Sequence, residues 1–316
     1  MRRCILPLSM VPMLLLCSVA SAQFRQADPE GPPTGETKVQ RMQAGITVRA
    51  VGGPCRGLVG YMAVPTDWPE QQVQIVEEDV SPSANVSYQM VDGMAKQMSV
   101  RFPYLAAGEE AHAMITFEVR RSTVLPPTDT ERYMLPDKRT LEIDVRRCLG
   151  ESPKIETRDR RIRALAREIG ADAPNAWSRV EAIYDWVREN VEYKNGPLKG
   201  AVAALEDKTG DCEELTSLFI AICRAADIPA RTVWVEGHCY PEFYLADAEG
   251  TGHWLPCQAA GTRSFGGIPE LRPVLQKGDN IRPSYNRRDR QRYLANHLGG
   301  TGGRPQVRFV RKMLND

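Results

Sequence analysis

The chain has 316 residues and carries 41 basic against 40 acidic side chains, which gives a formal net charge of +1. A balance this even excludes a general electrostatic attraction to nucleic acid, so no nucleic-acid partner is expected. The length exceeds that of one usual compact domain and predicts two domains with short tails.

Residues 1–22 have the composition of a secretory signal peptide. Two arginines precede an apolar stretch, and the small residues 20–22 follow it as a cleavage site. A retained membrane anchor is the competing interpretation, but the apolar stretch is shorter than a spanning helix requires. A lipoprotein anchored at Cys17 is disfavoured by the bulky Leu16 before it. We therefore expect a secreted or periplasmic protein with no membrane span after cleavage.

The next part of the chain predicts a linker and a β domain. Residues 23–40 are rich in proline, glycine and polar side chains, the composition of a flexible linker. Within residues 41–150, short alternating β-branched segments are separated by turn-forming clusters such as Asp92-Gly93, which predicts a β-sandwich. The predicted strands cover residues 46–51, 72–77, 98–102, 113–120 and 140–145.

After residue 150 the hydrophobic period changes from two to about three and a half, which predicts helices. The first contains Ile162 and Ile169, the second begins after Pro174-Asn175, and a short third covers residues 200–206. A longer helix begins at Cys212 and ends before Ile228-Pro229, because proline disfavours helix at the residue that precedes it.

Strands follow these helices. Residues 231–236, 239–245 and 253–257 have strand character, residues 259–300 are expected to wrap the surface, and residues 306–310 could rejoin the sheet. Helices followed by strands predict an α+β domain over residues 151–316, with a helix cluster packed on an antiparallel sheet.

Cys212 is a candidate nucleophile because of its place in the longer helix. Unpaired backbone N–H groups and the helix dipole favour an anion in the first turn, so a thiolate is stabilised there. Asp211 fits the N-cap position, although its negative charge partly opposes thiolate formation. Taken alone, the cysteine is as compatible with a structural role as with a catalytic one.

Two polar residues further along the chain change this interpretation. His238 follows Gly237 at the head of a predicted strand, where its imidazole could face the start of the helix. Gln258 lies at the end of the adjacent predicted strand. Cysteine, base and orienting group in this chain order form the arrangement that nucleophilic acyl transfer requires.

The sequence resembles the transglutaminase-like superfamily of papain-like acyl-transfer folds over residues 160–260. GDCEELTSLFIAICRAADIPAR matches the family pattern of a cysteine that opens a helix ending in an Ile-Pro-Ala-Arg corner, and GHCYPEFYL matches the histidine strand. The resemblance implies that Cys212 is the nucleophile and His238 the base that takes its proton.

The third position departs from the family pattern. The family usually has aspartate four residues after the strand tryptophan, and this chain has Gln258 there. A neutral amide can orient an imidazole but cannot stabilise an imidazolium with a charge. We therefore expect either weaker activity or a substitute carboxylate, with Glu242 and Asp247 as the candidates.

These features predict a cysteine peptidase, amidase or acyltransferase that acts on protein or peptide amides and requires no cofactor. The alternative is an inactive module of the same fold that binds peptides or cell-surface polymers. The sequence leaves open the substrate, hydrolysis against cross-linking, and the oligomeric state.

The cysteines allow further interpretations. If Cys212 is free, five others remain after signal cleavage, and at least one of these is unpaired. Cys55 with Cys148 is the first expected disulfide, Cys239 with Cys257 is another possibility, and Cys223 is predicted to be a buried hydrophobe.

A zinc site is a weaker alternative, because the paired spacings typical of such sites are lacking. Its ligands would come from Cys212, Cys239, Cys257, His238 and His253.

Overall fold

The computed structural model describes residues 32–314 of the protein. The predicted signal peptide and the first part of the predicted linker lie outside the described residues. Within residues 32–314, no helix is long and apolar enough to cross a bilayer.

Five strands form the first part of the fold. The longest, β1, alternates buried residues such as Ala44, Ile46 and Val48 with more exposed ones. Its first half pairs with β5, and its second half pairs with β4. The strands are β1 (Thr34–Val64), β2 (Gln71–Val80), β3 (Asn85–Val91), β4 (Ala95–Leu105) and β5 (Glu110–Val124).

Two expectations for this region are corrected. Residues 34–40 were assigned to the linker, but they belong to β1, where they pair with β5. Residues 140–145 were predicted as a strand, but the chain there enters a one-turn helix, α1 (Ile143–Arg147). Asp144 in its first turn and two arginines in its last turn suit the helix dipole, a local signal that the β-branched residues masked.

The helices that follow agree with the predicted ones, and their starts are capped as the sequence indicates. Asn175 accepts a hydrogen bond from the Ser178 backbone N–H, and Asp159 accepts one from Arg161. The helices are α2 (Arg160–Glu168), α3 (Ala176–Asn190), α4 (Ala201–Asp207) and α5 (Cys212–Ala225). Helix α5 is the central one, because its apolar side chains, including Leu218, Phe219 and Ile222, are fully buried.

The remaining strands are β6 (Glu192–Tyr193), β7 (Thr209–Gly210), β8 (Ala230–Val235), β9 (His238–Ala246), β10 (Gly252–Pro256), β11 (Val274–Lys277) and β12 (His297–Leu314). Strands β6 and β7 pair only with each other, in parallel, apart from the main sheet. Ten strands join one antiparallel sheet in the order β10-β9-β8-β11-β4-β1-β5-β2, with β12 on β1 and β3 on β4. The α+β class is therefore confirmed.

The separate N-terminal β-sandwich is not confirmed. β1 is long enough to pair with β4, β5 and β12, and the short strand β11 links β4 to β8. The N-terminal strands and the strands under α5 therefore belong to one hydrogen-bonded sheet. The boundary between two domains at residue 150 stays a prediction.

A buried charge network reinforces this link at β11. Lys277 lies 2.7 Å from Glu70 and 2.6 Å from Glu242, while Arg121 pairs with Glu70 at 3.0 Å and Arg231 with Glu242 at 2.7 Å. Burial lowers the pKa of Lys277 to about 7 against the opposing attraction of Glu242. Glu70 precedes β2 and Glu242 lies on β9, so the network joins distant parts of the chain.

Both expected disulfides are wrong. Cys55 and Cys148 are free, because Cys55 lies in the core of β1, β4 and β5 while Cys148 caps α1 and donates to the Asp144 carbonyl at 3.5 Å. Cys239 and Cys257 are also free. The backbone of Cys257 bonds to Pro241, so the two residues are not opposite each other on β9 and β10. Cys223 is fully buried, as predicted.

Candidate active site

Cys212 is the first residue of α5, and a capping box fixes its backbone. The Asp211 carboxylate accepts from the Glu213 backbone N–H at 2.8 Å, and the Glu214 carboxylate accepts from the Asp211 backbone N–H at 3.2 Å. The Cys212 sulfur therefore lies at the positive end of the helix dipole, as the sequence predicted.

His238 is placed by a two-residue turn between β8 and β9. Val235 ends β8 and pairs with His238, and Gly237 in the turn has a φ of +69°, a conformation that glycine adopts without strain. The imidazole lies close enough to the Cys212 sulfur to lower the pKa of the thiol. The structure thus brings the end of one hairpin against the start of α5.

Gln258 follows β10 and contacts the same imidazole. Its Nε2 lies 3.1 Å from His238 Nε2. The Gln258 backbone is fixed from α3, because its carbonyl accepts from the Tyr184 hydroxyl at 2.9 Å and from Arg188 at 3.0 Å. All three residues selected from the sequence are therefore in contact.

The amide of Gln258 can present either of its ends to the imidazole. Its Oε1 is buried without a hydrogen-bond partner, and a half-turn of the amide places this oxygen where it accepts from the imidazole N–H. With Nε2 of His238 engaged in this way, Nδ1 is the nitrogen that remains for the sulfur. Gln258 thereby selects the tautomer that a base next to a thiol requires.

A cleft of about 540 Å³ lies over the sulfur and the imidazole. Its aromatic walls are Tyr193, Trp234 and Tyr293, and Tyr193 at the rim is 53% exposed. Charged residues of both signs line the rest. They are Asp211, Glu213, Glu236, Arg292 and Arg311, and the last of these lies on β12.

Residues 163–259 match the sequence profile of a family described as the transglutaminase-like superfamily. This segment includes Cys212, His238 and Gln258, together with the helix and strands that position them. This segment of the chain is a transglutaminase-like domain.

Two other comparisons cover different shares of the chain. An uncharacterized protein of Haemophilus influenzae is 26% identical over 191 residues, which cover 49% of this chain and about half (50%) of that protein's length. A crystal structure described as a candidate cysteine protease of Cytophaga hutchinsonii matches 90% of this chain and 93% of its own, with a TM-score of 0.57 and 19% identity. At this identity the second match establishes a shared fold alone.

In this transglutaminase-like domain the Cys212 thiol is strongly acidified. A hydrogen bond with the Cys239 thiol, a second with His238 and a third with the Cys239 backbone N–H together lower the pKa of Cys212 to about 4, although burial opposes this. Burial and the nearby thiolate raise the pKa of Cys239 well above its usual value, so that Cys239 remains a thiol. Of the two sulfurs, that of Cys212 is therefore the one present as a thiolate at neutral pH.

Cys239 was missed as a site residue in the sequence. Its sulfur lies 3.6 Å from the Cys212 carbonyl oxygen, and its side chain is fully buried. Neighbouring residues on a strand point to opposite faces, so the chain order gave no reason to expect both His238 and Cys239 at one sulfur. The start of β9 at His238 allows both contacts.

Neither predicted substitute carboxylate lies at the imidazole of His238. Glu242 belongs to the buried network with Lys277 and Arg231. Asp247 instead accepts from His253 at 2.8 Å and from Arg132 at 3.1 Å, beside β10. Within residues 32–314, no group of three or more histidine, cysteine or acidic side chains is placed to hold a metal ion.

Proposed function

We propose that this protein is a cysteine-dependent amide hydrolase acting on protein or peptide substrates. The observation that supports it is the acidified Cys212 sulfur, in contact with the His238 imidazole that Gln258 orients. Nucleophilic acyl transfer requires this combination of thiolate, imidazole and orienting group.

The geometry supports a two-step reaction. The Cys212 sulfur attacks the amide carbonyl, and the backbone N–H of Cys212, which has no intrahelical acceptor in the first turn, stabilises the oxyanion. Protonated His238 gives its proton to the nitrogen of the departing amine, which leaves a thioester on Cys212. Neutral His238 then takes a proton from a water molecule that attacks the thioester, and the acid product leaves as the thiolate re-forms.

A peptide suits the shape and lining of the cleft. Aromatic walls pack against apolar side chains, while the backbone amides and polar side chains of a peptide match the charged residues between them. An amine in place of water in the second step would make the protein a cross-linking acyltransferase. Cleavage of a peptide, as opposed to its attachment to an amine, therefore distinguishes the hydrolase from the acyltransferase.

We propose also that residues 1–22 are removed as the protein is exported to the periplasm or the medium. The two arginines, the apolar stretch and the small residues 20–22 support this. N-terminal sequencing of the protein secreted by its host should find Gln23 first, and a mature protein that retains Met1 would contradict export by cleavage.

The hydrolase proposal is tested by chemical labelling together with a peptide screen. Brief treatment with iodoacetamide at neutral pH, followed by peptide mapping, should place the adduct selectively on Cys212, and the label should be much slower in His238→Ala. Mass spectrometry of a peptide library should show cleavage by the wild type and none by Cys212→Ser. Peptide binding without cleavage, with uniform or absent labelling, would instead support the non-catalytic module.

A further inference from the structure

Arginines are concentrated in the segment that connects β11 to β12. Residues 282–290 contain four of them, and all four are exposed. The acidic residue of this segment, Asp289, accepts from the Asn286 side chain at 2.9 Å. The segment is therefore strongly basic in a chain whose formal net charge is only +1.

This arginine loop (residues 281–291) is held in place by contacts at its ends and in its middle. Ile281 and Gln291 form a bridge that closes the loop, with backbone hydrogen bonds of 2.8 and 2.9 Å. The Tyr285 ring stacks on the His297 ring, with 4.2 Å between the ring centroids. The anchoring side chains are aromatic or apolar, so the arginines remain free to meet a ligand.

Two adjoining cavities lie beside the arginine loop, and both are lined by Arg282 and Asp92. The larger, of about 230 Å³, is also lined by Arg287. The smaller, of about 100 Å³, is also lined by Arg290 and by Arg147 of α1. Four arginines from two distant parts of the chain therefore border one concave region.

Hydrogen bonds fix the chain segments that border the cavities. Asp92 lies in the turn between β3 and β4, and its Oδ2 accepts from the Arg282 backbone N–H at 2.7 Å. Asn280 lines the smaller cavity, and its Nδ2 donates to the Glu151 carbonyl at 3.3 Å. The arginine loop is thus attached both to the turn between β3 and β4 and to the chain that follows α1.

The positive charge around these cavities is only partly neutralised. Asp92 is the acidic residue among those that line them. Arg147 pairs with Asp144 at 3.1 Å, and both of these side chains are exposed. Within residues 32–314, no ion pair or hydrogen bond engages the guanidinium groups of the three loop arginines that line the cavities. A concave surface with an excess of one charge concentrates ligands of the opposite charge.

The number of arginines favours a phosphoryl group over a carboxylate. One guanidinium fork satisfies a planar carboxylate, whereas the oxygens of a phosphoryl group accept from several guanidinium groups that approach from different sides. We propose that the two cavities form a binding site for phosphoryl groups, held by Arg147, Arg282, Arg287 and Arg290. A soluble phosphate and the headgroup of an anionic lipid share this chemistry.

The proposed site is independent of the amide hydrolase activity, because its cavities and the cleft over Cys212 are lined by different residues. Isothermal titration calorimetry of the full chain with inorganic pyrophosphate, at physiological ionic strength, tests the site directly. The wild type should bind pyrophosphate saturably. The double variant Arg282→Gln/Arg290→Gln should bind it about tenfold more weakly or worse, because two charged donors are lost.

The matched control is the double variant Arg163→Gln/Arg167→Gln. It removes the same two charges from exposed positions on α2, outside both cavities, and should bind pyrophosphate like the wild type. Arg282→Lys keeps the charge but loses the fork, so its affinity should lie between those of the wild type and the first double variant. This single variant provides a separate test if the first double variant does not fold.

Vesicle flotation identifies the source of the phosphoryl group. Vesicles of equal parts phosphatidylglycerol and phosphatidylcholine are compared with vesicles of phosphatidylcholine alone. Retention of the wild type on the anionic vesicles, with loss of retention in Arg282→Gln/Arg290→Gln, would support the site and assign a lipid headgroup to it. Pyrophosphate binding without retention would support the site and assign a soluble phosphate.

The proposal would be overturned if the wild type bound neither pyrophosphate nor the anionic vesicles. Equal losses of affinity in the two double variants would also overturn it, since they would show attraction to charge alone. Citrate, a carboxylate anion, is titrated under the same conditions. Binding of citrate as tight as that of pyrophosphate would overturn the assignment to phosphoryl groups.

Discussion

His238 and His253 each have a polar side-chain partner, and of the two only His238 lines the cleft over Cys212. His253 on β10 donates to Asp247 at 2.8 Å, Arg132 donates to the same carboxylate, and Asp247 is buried. His238 has the weaker partner, the neutral Gln258 at 3.1 Å, but it contacts the Cys212 sulfur at a helix start. A carboxylate beside an imidazole therefore does not define a candidate site in this fold; the thiol and the cleft do.

The largest expected effect is the loss of activity when His238, but not His253, is replaced by alanine. His238→Ala should lower kcat/KM for a cleaved peptide by about 10²- to 10⁴-fold, because it removes the general acid and base. His253→Ala should leave it unchanged, because His253 does not line the cleft. Steady-state kinetics of both variants measure the difference, and equal losses in the two would remove the distinction between them.

A second prediction concerns the state of the sulfur that His238 contacts. With the pKa of Cys212 at about 4, the thiolate is fully formed above pH 6, so its alkylation rate by iodoacetamide should be nearly constant from pH 6 to 8. An ordinary thiol with a pKa of about 8.5 should react about tenfold faster for each pH unit over this range. Glutathione under the same conditions is the control, and a parallel rise for Cys212 would contradict the acidified thiol.

Substitutions of Gln258 should have an intermediate effect on activity. Gln258→Ala removes the orienting contact and should lower kcat/KM by about 10- to 100-fold, since a misplaced imidazole transfers protons poorly. Gln258→Glu makes the His238 pair chemically similar to the His253 pair and should retain activity. The alkaline limb of its kcat/KM pH profile should lie at higher pH than that of the wild type. Full activity in Gln258→Ala would show that Gln258 does not orient the imidazole.

The smallest effect is expected at Asp247, and it should be one of stability. Asp247→Asn loses the charge that His253 and Arg132 contact and should lower the free energy of unfolding by about 1–2 kcal/mol without changing kcat/KM. Its pKa is lowered in the folded protein by the His253 bond and backbone N–H groups, against burial, so the wild type is the more stable above pH 4. As the pH falls through the lowered pKa, the difference should disappear, as urea unfolding at several pH values would measure.

The sequence predicted those parts of the fold and site that depend on local pattern. Cys212, His238 and Gln258 were found because a helix start, a glycine turn and a strand end are visible in neighbouring residues. The helices α2, α3 and α5 were found from their hydrophobic period and their caps.

What the sequence did not predict depends on contacts between distant residues. Cys239 reaches Cys212 only because β9 begins beside the start of α5, and no spacing rule indicates this. The partners of Glu242 and Asp247 are likewise set by β11 and by the loop around Arg132. The same holds for the single sheet, because β1 can pair with β4, β5 and β12 only when it is longer than a usual strand.

The strand β11 has a consequence for how the protein unfolds. It has four residues, yet it joins β4 to β8 and carries Lys277 between Glu70 and Glu242. A fragment that begins after residue 150 would keep Lys277 and Glu242 but lose Glu70, and β11 would become an exposed edge prone to pairing with another chain. Melting of either half should therefore disrupt the other, and the protein should unfold as one cooperative unit.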